Sequence, residues 1–311
     1  MHQGYKTNAF PTEDPRLPER YPGAPRLEAE RCTACGACEA ICPTSAISVH
    51  AGAAESSHAG RAKSGPNPAG PSPDEPRLAL DLGRCIFCRK CETACPEGAI
   101  AFTGSFRMGA RTKAGLVLGS VPQVSSTRTS RLDVSNEAHK AVSTGASNQA
   151  LNAEETRLIE ALDRKMLRVF GRAMKIRQVS AGGCNACEAD VNVLETIGFD
   201  LSRFGISITA SPRHADAIIV TGPVSKNMEL ALRKTYEAMP SPKLVIAVGA
   251  CAISGGIYRG LPDVCGGADA VIPIDLYIPG CPPHPMTILN ALLELLDRVP
   301  KKNQTGRHRI A

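Results

Sequence analysis

Residues 31–49, RCTACGACEAICPTSAISV, and residues 84–102, RCIFCRKCETACPEGAIAF, align without a gap. The cysteines coincide, and so do the Cys-Pro and Ala-Ile pairs behind them. Each copy reads C-x2-C-x2-C-x3-C-P, with Cys32, Cys35, Cys38 and Cys42 in the first and Cys85, Cys88, Cys91 and Cys95 in the second. No other feature restricts the fold so tightly, because the chain must be laid out around two sets of clustered thiols. Three thiolates at this spacing can wrap one corner of a cubane iron–sulfur cluster, while the fourth cannot easily fold back onto the same cluster. Zinc is the competing metal. Its sites usually separate two C-x2-C pairs by a longer spacer, whereas here a third cysteine arrives after two residues.

Over about residues 27–105 the pattern resembles a bacterial two-cluster ferredoxin. The resemblance implies that the fourth cysteines are exchanged. Cys32, Cys35, Cys38 and Cys95 then hold one [4Fe–4S] cluster, and Cys85, Cys88, Cys91 and Cys42 hold the other. Arg84, Arg89 and Lys90 flank the second copy; their charge either favours the reduced, more negative cluster or is ordinary solvated surface. The full count of 13 cysteines points to metal binding in a reducing compartment rather than to disulfides. The first residues, MHQGYKTNAF, show no secretory pattern. The longest apolar candidate, KLVIAVGACAISGGIY, is broken by glycines and reads as a buried strand plus a loop, so no direct membrane span is expected.

The organisation follows from composition. Residues 1–30, with Pro11, Pro15, Pro18, Pro22 and Pro25, form an extended lead laid over another surface. The dicluster domain occupies 31–105, interrupted at 51–76 by an Ala, Gly, Ser and Pro-rich insertion that cannot bury a core. Residues 106–151 read as a linker. An amphipathic helix is predicted over 152–171, capped by Asn152 and Glu155, with Leu158, Leu162, Met166, Val169 and Phe170 at helical spacing and Gly171 as its stop. Residues 172–299 form a second domain, followed by a basic tail, 300–311. Strands are predicted at 176–180, 206–210, 217–221, 244–249 and 271–275, and helices at 188–197, 225–238 and 285–297. Such alternation argues for an α/β domain with a mostly parallel sheet. The expected fold class is thus an α+β ferredoxin-like dicluster domain followed by an α/β domain.

The stretch GGCNACEAD, residues 182–190, adds a further C-x-x-C, Cys184 and Cys187. Such a pair can be a redox dithiol, half of a zinc site or half of an iron–sulfur site. Cys251, Cys265 and Cys281 remain. Cys251 and Cys281 follow predicted strands, as Cys184 and Cys187 do, so these strand ends deliver four cysteines to the carboxyl edge where α/β sheets gather ligands. The neighbouring Gly182, Gly183, Gly249, Gly255, Gly256 and Gly280 let backbone approach cluster sulfurs. Cys265 is the spare, a small buried thiol.

GGCNACEAD, ASPRHADAIIVTGPVS, VIAVGACAISGGIY and PIDLYIPGCPPHP resemble the small subunit of group 4, formate hydrogenlyase-type [NiFe] hydrogenases. They are similar, more distantly, to the complex I subunit that carries the last cluster before quinone. The likeness covers about 172–298. The C-x-x-C form favours the hydrogenase branch over the adjacent Cys-Cys pair of complex I, while Ala186 and Asp190 depart from the usual Gly and apolar residue. The resemblance implies a flavodoxin-like domain holding one [4Fe–4S] through Cys184, Cys187, Cys251 and Cys281. It also implies docking to a large catalytic subunit, NiFe-type or nickel-less. The complex would sit on the cytoplasmic, inner face of the cell membrane, meeting the membrane subunits only indirectly.

The expected function is electron relay through three [4Fe–4S] clusters to or from that large subunit, where the substrate is converted. A complex I-like oxidoreductase without nickel is the nearest alternative, and a zinc-binding interaction protein the alternative of another class. Glu188 either aids proton movement near the cluster or matches a helix N-terminus. His214 either tunes the cluster or merely caps and packs, and Arg213 pairs with a partner or sits on the surface. With no Trp and few other aromatics, nucleic-acid binding is not expected.

Overall fold

In the computed structural model, which describes residues 6–49, 78–119 and 173–296, the repeated motifs build matching halves of one small unit. Its elements are β1 (Pro25–Leu27), α1 (Ala37–Ile41), β2 (Ile47–Val49), β3 (Leu78–Asp81), α2 (Lys90–Ala94), β4 (Ile100–Phe102) and β5 (Val117–Leu118). β1 pairs antiparallel with β4, Leu27 facing Ile100. β3 is the centre of a second antiparallel sheet, between β2 and β5. Helices of one turn are not stable alone; α1 and α2 persist because Cys38 and Cys91 sit buried on them within a shared core.

Two expected boundaries change here. The lead is not merely laid over a surface. Its Pro25–Leu27 is a strand of the dicluster unit, and Phe10 is buried among the residues of the second domain. The linker does not begin at 106. Phe106, Met108 and Leu116 are buried and β5 is hydrogen bonded to β3, so residues 106–119 are packed structure. Three large apolar side chains at 106, 108 and 116 carry this, ahead of the Ser/Thr-rich stretch that suggested a linker. The insertion 51–76, the rest of the expected linker, the helix 152–171 and the tail 300–311 lie outside the described residues.

The second domain contains β6 (Met174–Ser180), α3 (Ala186–Val193), β7 (Ile206–Ile208), β8 (Ala217–Thr221), α4 (Lys226–Ala238), β9 (Leu244–Val248), α5 (Ala250–Ser254), β10 (Leu276–Ile278) and α6 (Pro285–Leu295). The strands form one sheet in the order β10-β9-β8-β6-β7, every pair parallel. All of β8 and β9 is buried, as parallel strands covered on both faces require. Ala217 and Ile219 face a core shared with Val191 of α3 and with Ile288 and Leu292 of α6. Ile218 and Val220 face the other way, toward Leu232 of α4.

The strand expected at 271–275 is displaced to Leu276–Ile278. Pro273 cannot donate to a ladder, and pairing starts only where the Asp275 N–H reaches the Val245 carbonyl at 2.8 Å. The strand expected at 217–221 is β8 with the same bounds, and the remaining strands and helices shift by a few residues at their ends; α3, for instance, starts at Ala186 rather than at 188.

The two units share a core. Ala247, Ala252, Ile253 and Tyr277 pack with Leu80, Leu82, Leu116 and the dicluster cysteines. Ala110 and Tyr277 exchange backbone hydrogen bonds of 3.0 and 2.8 Å. Ser254 Oγ donates to the Gly83 carbonyl at 2.8 Å, and Lys113 Nζ lies 2.6 Å from Asp269 Oδ2. A Cβ on Gly83 would stand 2.8 Å from Ile253 Cγ2, so the joint is close-packed.

Candidate iron–sulfur sites

One local device recurs at all three cysteine loops. The residue before each short helix is left-handed: Gly36 before α1 at φ 75°, Arg89 before α2 at φ 62° and Asn185 before α3 at φ 69°. This turn swings the backbone so that successive cysteines face inward. Only Gly adopts it freely; Arg89 and Asn185 hold it at a cost of about 1–3 kcal/mol each. Each helix then carries a cysteine on its first turn, Cys38, Cys91 or Cys187.

Cys32, Cys35, Cys38 and Cys95 line one small cavity of the dicluster unit. Cys42, Cys85, Cys88 and Cys91 line another. The fourth cysteine of each copy thus stands with the first three of the other. Backbone donors point at the sulfurs in equivalent places: Ala46 N–H to Cys42 Sγ and Ala99 N–H to Cys95 Sγ, both 3.2 Å, with Phe87 N–H to Cys85 Sγ at 3.3 Å. Of the flanking cations, Arg84 is paired with Asp81 at 3.2 Å and Arg89 with Glu92 at 2.7 Å. The second ion pair offsets the charge that Arg89 brings to the second cavity, which it lines.

In the second domain Cys184 and Cys187 follow β6, Cys251 lies on α5 after β9, and Cys281 follows β10, all at the carboxyl edge of the sheet. The four thiols act on one another. Burial, then the neighbouring Cys251, Glu188, Cys281 and Cys184, push the Cys187 thiol far up. Burial, then Cys281 and Cys184, push Cys251 up to about 11. A free dithiol made of Cys184 and Cys187 alone would leave Cys251 and Cys281, gathered at the same sheet edge, without a role.

Gly249 is required by this site. Its φ is +91°, and a Cβ there would lie 2.6 Å from Cys187 Sγ. Gly249→Ala is expected to displace that sulfur, lowering iron content by about one cluster's share and stability by about 1–3 kcal/mol; iron analysis and thermal unfolding check both. A Cβ on Gly256 would likewise meet Cys251 Sγ at 2.8 Å. The other expected glycines answer to loop packing. A Cβ on Gly182 would meet Ser225 Oγ at 2.8 Å, one on Gly183 would meet Gly222 Cα at 3.0 Å, and one on Gly255 would meet Arg259 Cα at 3.2 Å. On Gly280 it would collide with the backbone of Pro283.

Glu188 is buried in the first turn of α3, where its charge suits the helix N-terminus. Its Oε1 accepts from Ser180 Oγ at 2.6 Å and from Thr221 Oγ1 at 2.7 Å, tying the ends of β6 and β8 together. His214 and Arg213 belong to an exposed turn just before β8. That is the opposite edge of the sheet from the cysteines, about 16 Å away along a strand of this length. Of the two expectations for His214, the place of this turn favours an ordinary surface role over tuning of the cluster. Cys265 stands apart, its Sγ 3.6 Å from Glu229 Oε2. Cys265→Ser is expected to leave iron content unchanged, as elemental analysis would report.

Sequence reasoning missed His284. Its Nδ1 caps α6 by accepting from Met286 N–H at 3.1 Å, and its ring lies 5.0 Å from that of Tyr21. Its position in PGCPPHP, close behind Cys281 and before a helix, was the available signal. Asp190, on α3, lines the same cavity as Cys281 and His284, and burial pushes its carboxyl up.

The donor sets fit [4Fe–4S] clusters. All the cysteines are free thiols although they are gathered in groups. Backbone N–H groups already address sulfurs, and glycines make room where a Cβ would press on them. Among the described residues no three His, Cys, Asp or Glu side chains converge closely enough for a single ion. In the dicluster unit the thiols instead ring a cavity, as a group larger than an ion requires.

Comparison with known proteins agrees. Residues 184–295 match the family of the NADH ubiquinone oxidoreductase, 20 Kd subunit, and residues 31–99 match the 4Fe-4S dicluster domain. The chain is 35% identical over 150 residues to the "Probable membrane-bound hydrogenase subunit mbhJ" of Pyrococcus furiosus, covering 48% of this chain and 90% of that protein. It is 40% identical over 131 residues to formate hydrogenlyase subunit 7 of Escherichia coli, covering 42% of this chain and 51% of that one. It is 43% identical over 123 residues to an NADH-quinone oxidoreductase subunit of Geotalea uraniireducens, covering 40% of this chain and 72% of that one. The chain belongs to the family of the NADH ubiquinone oxidoreductase 20 kDa subunit, here carrying a 4Fe-4S dicluster domain ahead of it.

Proposed function

We propose that the chain holds three [4Fe–4S] clusters, one on each cysteine quartet, and serves as the electron-transfer subunit of a membrane-associated hydrogenase-like or complex I-like oxidoreductase. When bound, the clusters supply one-electron oxidation and reduction at potentials set by hydrogen bonding, charge and solvent exposure. The residues here act on each of these. Ala46, Phe87 and Ala99 donate N–H groups to sulfur, Glu92 and Asp81 moderate the arginine charge, and Leu80, Ile100 and Ile253 keep water from the dicluster side.

One observation carries the order of the relay. A cavity is lined on one side by Ile86 and Phe87, from the second dicluster loop, and on the other by Gly280, Cys281 and Pro282. The quartet of Cys42, Cys85, Cys88 and Cys91 is thus the neighbour of the C-terminal quartet, and that of Cys32, Cys35, Cys38 and Cys95 is the outer one. Cys184 and Cys281 are exposed, and Ile257 and Leu261, on the loop after α5, are 59% and 51% exposed. These features support docking of a large subunit at this edge. Cys265 alone is left over, so a nickel site with cysteine ligands would have to be the partner's. The strand order supports a flavodoxin-like second domain, since β7-β6-β8-β9-β10 is the 2-1-3-4-5 arrangement.

No helix among the described residues is long and apolar enough to cross a membrane. Attachment at the inner, cytoplasmic face through membrane subunits fits that and the membrane-bound relative. Iron and sulfide analysis of anaerobically purified protein, with EPR of the reduced state, tests the proposal: about twelve iron atoms per chain are expected. Substantial zinc in colourless protein would defeat it. Two C-x-x-C motifs near the ends of a co-purifying large subunit would favour the nickel form over the complex I-like one.

A further inference from the structure

The lead segment enters the junction between the dicluster unit and the second domain, and one of its side chains stands in the gap between two quartets. Tyr21 and Pro22 line the same cavity as Phe87, Met108, Cys281 and His284. The backbone here is fixed to the dicluster unit: Gly104 N–H donates to the Pro22 carbonyl at 3.0 Å, and Ala24 N–H to the Ser105 carbonyl at 2.8 Å. The Tyr21 side chain is fixed to the other unit. Its hydroxyl is hydrogen bonded to Thr287 Oγ1 at 3.0 Å, and its ring lies against His284, the cap of the helix that follows the Cys281 loop. Upstream, the lead is anchored again. Phe10 is buried and lies edge-on to Phe106, with ring centroids 5.7 Å apart. Arg203 donates to the Asn8 carbonyl at 2.7 Å, to Asn8 Oδ1 at 3.0 Å and to the Phe10 carbonyl at 2.8 Å.

We propose that Tyr21 is a positioning residue for electron transfer between the quartet of Cys42, Cys85, Cys88 and Cys91 and the quartet of Cys184, Cys187, Cys251 and Cys281. The backbone of the residues that follow it, Pro22 and Ala24, is bonded to one unit and its own side chain to the other, at the edge where the cysteine loops face each other. Tyr21 thereby sets their separation. The step is a transfer of one electron, lost at the dicluster quartet's group and gained at the C-terminal quartet's. A low-potential one-electron donor supplies it, and no bond is made or broken. Phe10 and Arg203 hold the lead in place so that Tyr21 cannot swing out.

This inference rests on the three-cluster reading, and its test separates the two. Full-length protein carrying Tyr21→Ala, Tyr21→Phe, Thr287→Val or both of the last two is purified anaerobically. Iron content and the EPR signal of each cluster are measured first. The magnetic coupling between the two clusters and the rate of electron arrival at the C-terminal one, after light-triggered reduction, are measured next. Tyr21→Ala is expected to keep all clusters, weaken the coupling and slow arrival several-fold, within the roughly 10²-fold that a 1 Å misplacement can cost. Tyr21→Phe and Thr287→Val remove the same hydrogen bond. Each is expected to slow arrival by a smaller factor, and the double variant by no more than either alone. Wild-type coupling and rate in fully loaded Tyr21→Ala overturn the proposal. Should Tyr21→Ala fail to load, wild-type behaviour of both conservative variants overturns it instead. Absence of the clusters from wild-type protein defeats the underlying three-cluster reading.

Discussion

Cys281→Ser is expected to remove the C-terminal cluster and leave the dicluster unit spectroscopically intact, with total iron falling by about a third. The loop leaves the thiolate no substitute. Pro279, Pro282, Pro283 and Pro285 fix the backbone around Cys281, and Gly280 is wedged against Pro283. So restrained a backbone cannot readjust around a serine oxygen, which is a poor partner for iron. The dicluster unit shares none of these ligands. It does share a core with the second domain, but that core is built on Ala247, Ala252, Ile253 and Tyr277 and does not include Cys281. In the assembled complex an artificial donor should still reduce the dicluster half while turnover at the large subunit stops. Turnover from that donor at the wild-type rate would mean that electrons leave elsewhere, and the order proposed above would be abandoned.

What could be read in the sequence depended on how far the cause lies along the chain. The cysteine loops were legible because metal ligation at fixed spacing is local. β8 and β9 were legible because short, β-branched apolar runs, AIIV and LVIAV, bounded by turn residues read as strands buried on both faces. β10 was misplaced because VIPID looks as apolar as LYI, and only the missing donor at Pro273 tells them apart. The two readings of His214 could not be separated because its motif carries no sign of which sheet edge it occupies; the edge is decided by where β8 begins. The joint between the units was hidden for the same reason. The Ala110–Tyr277 bridge and the Tyr21–Thr287 hydrogen bond link residues far apart in sequence. The polar stretch after residue 119 obscured the apolar side chains just before it. At the C-terminal site four cysteines could be grouped by their place after strands, but the sulfur contact that demands Gly249 needed coordinates.

The exchange of fourth cysteines between the two repeats gives the sharpest remaining test. Cys95 belongs by sequence to the second copy, behind Cys85, Cys88 and Cys91, yet it lines the cavity of Cys32, Cys35 and Cys38. The mutual effects of the thiols follow the same partition. Cys38 is pushed up by burial and then by Cys32 and Cys95, whereas Cys85 is pushed up to about 12 by burial and then by Cys91, Cys42 and Cys88. A short spacer explains it: Cys91 and Cys95 lie at opposite ends of α2, so the helix carries one toward each cavity. Cys95→Ser is therefore expected to destroy or convert the cluster of the first repeat and to spare that of the second, and Cys42→Ser to do the reverse. Each would also take from a backbone donor, Ala99 N–H or Ala46 N–H, the sulfur that accepts from it, and the shorter oxygen is left at the rim of a site shaped for a larger atom. The paired EPR signals decide it, because the second cluster faces the C-terminal quartet and its signal alone should carry that magnetic coupling. If Cys95→Ser abolished the coupled signal and kept the uncoupled one, each repeat would be ligating its own cluster. The inner and outer positions in the relay would stand even so, since Ile86 and Phe87 lie between Cys85 and Cys88 whichever fourth cysteine completes that group, and only the exchange of Cys42 and Cys95 would be overturned.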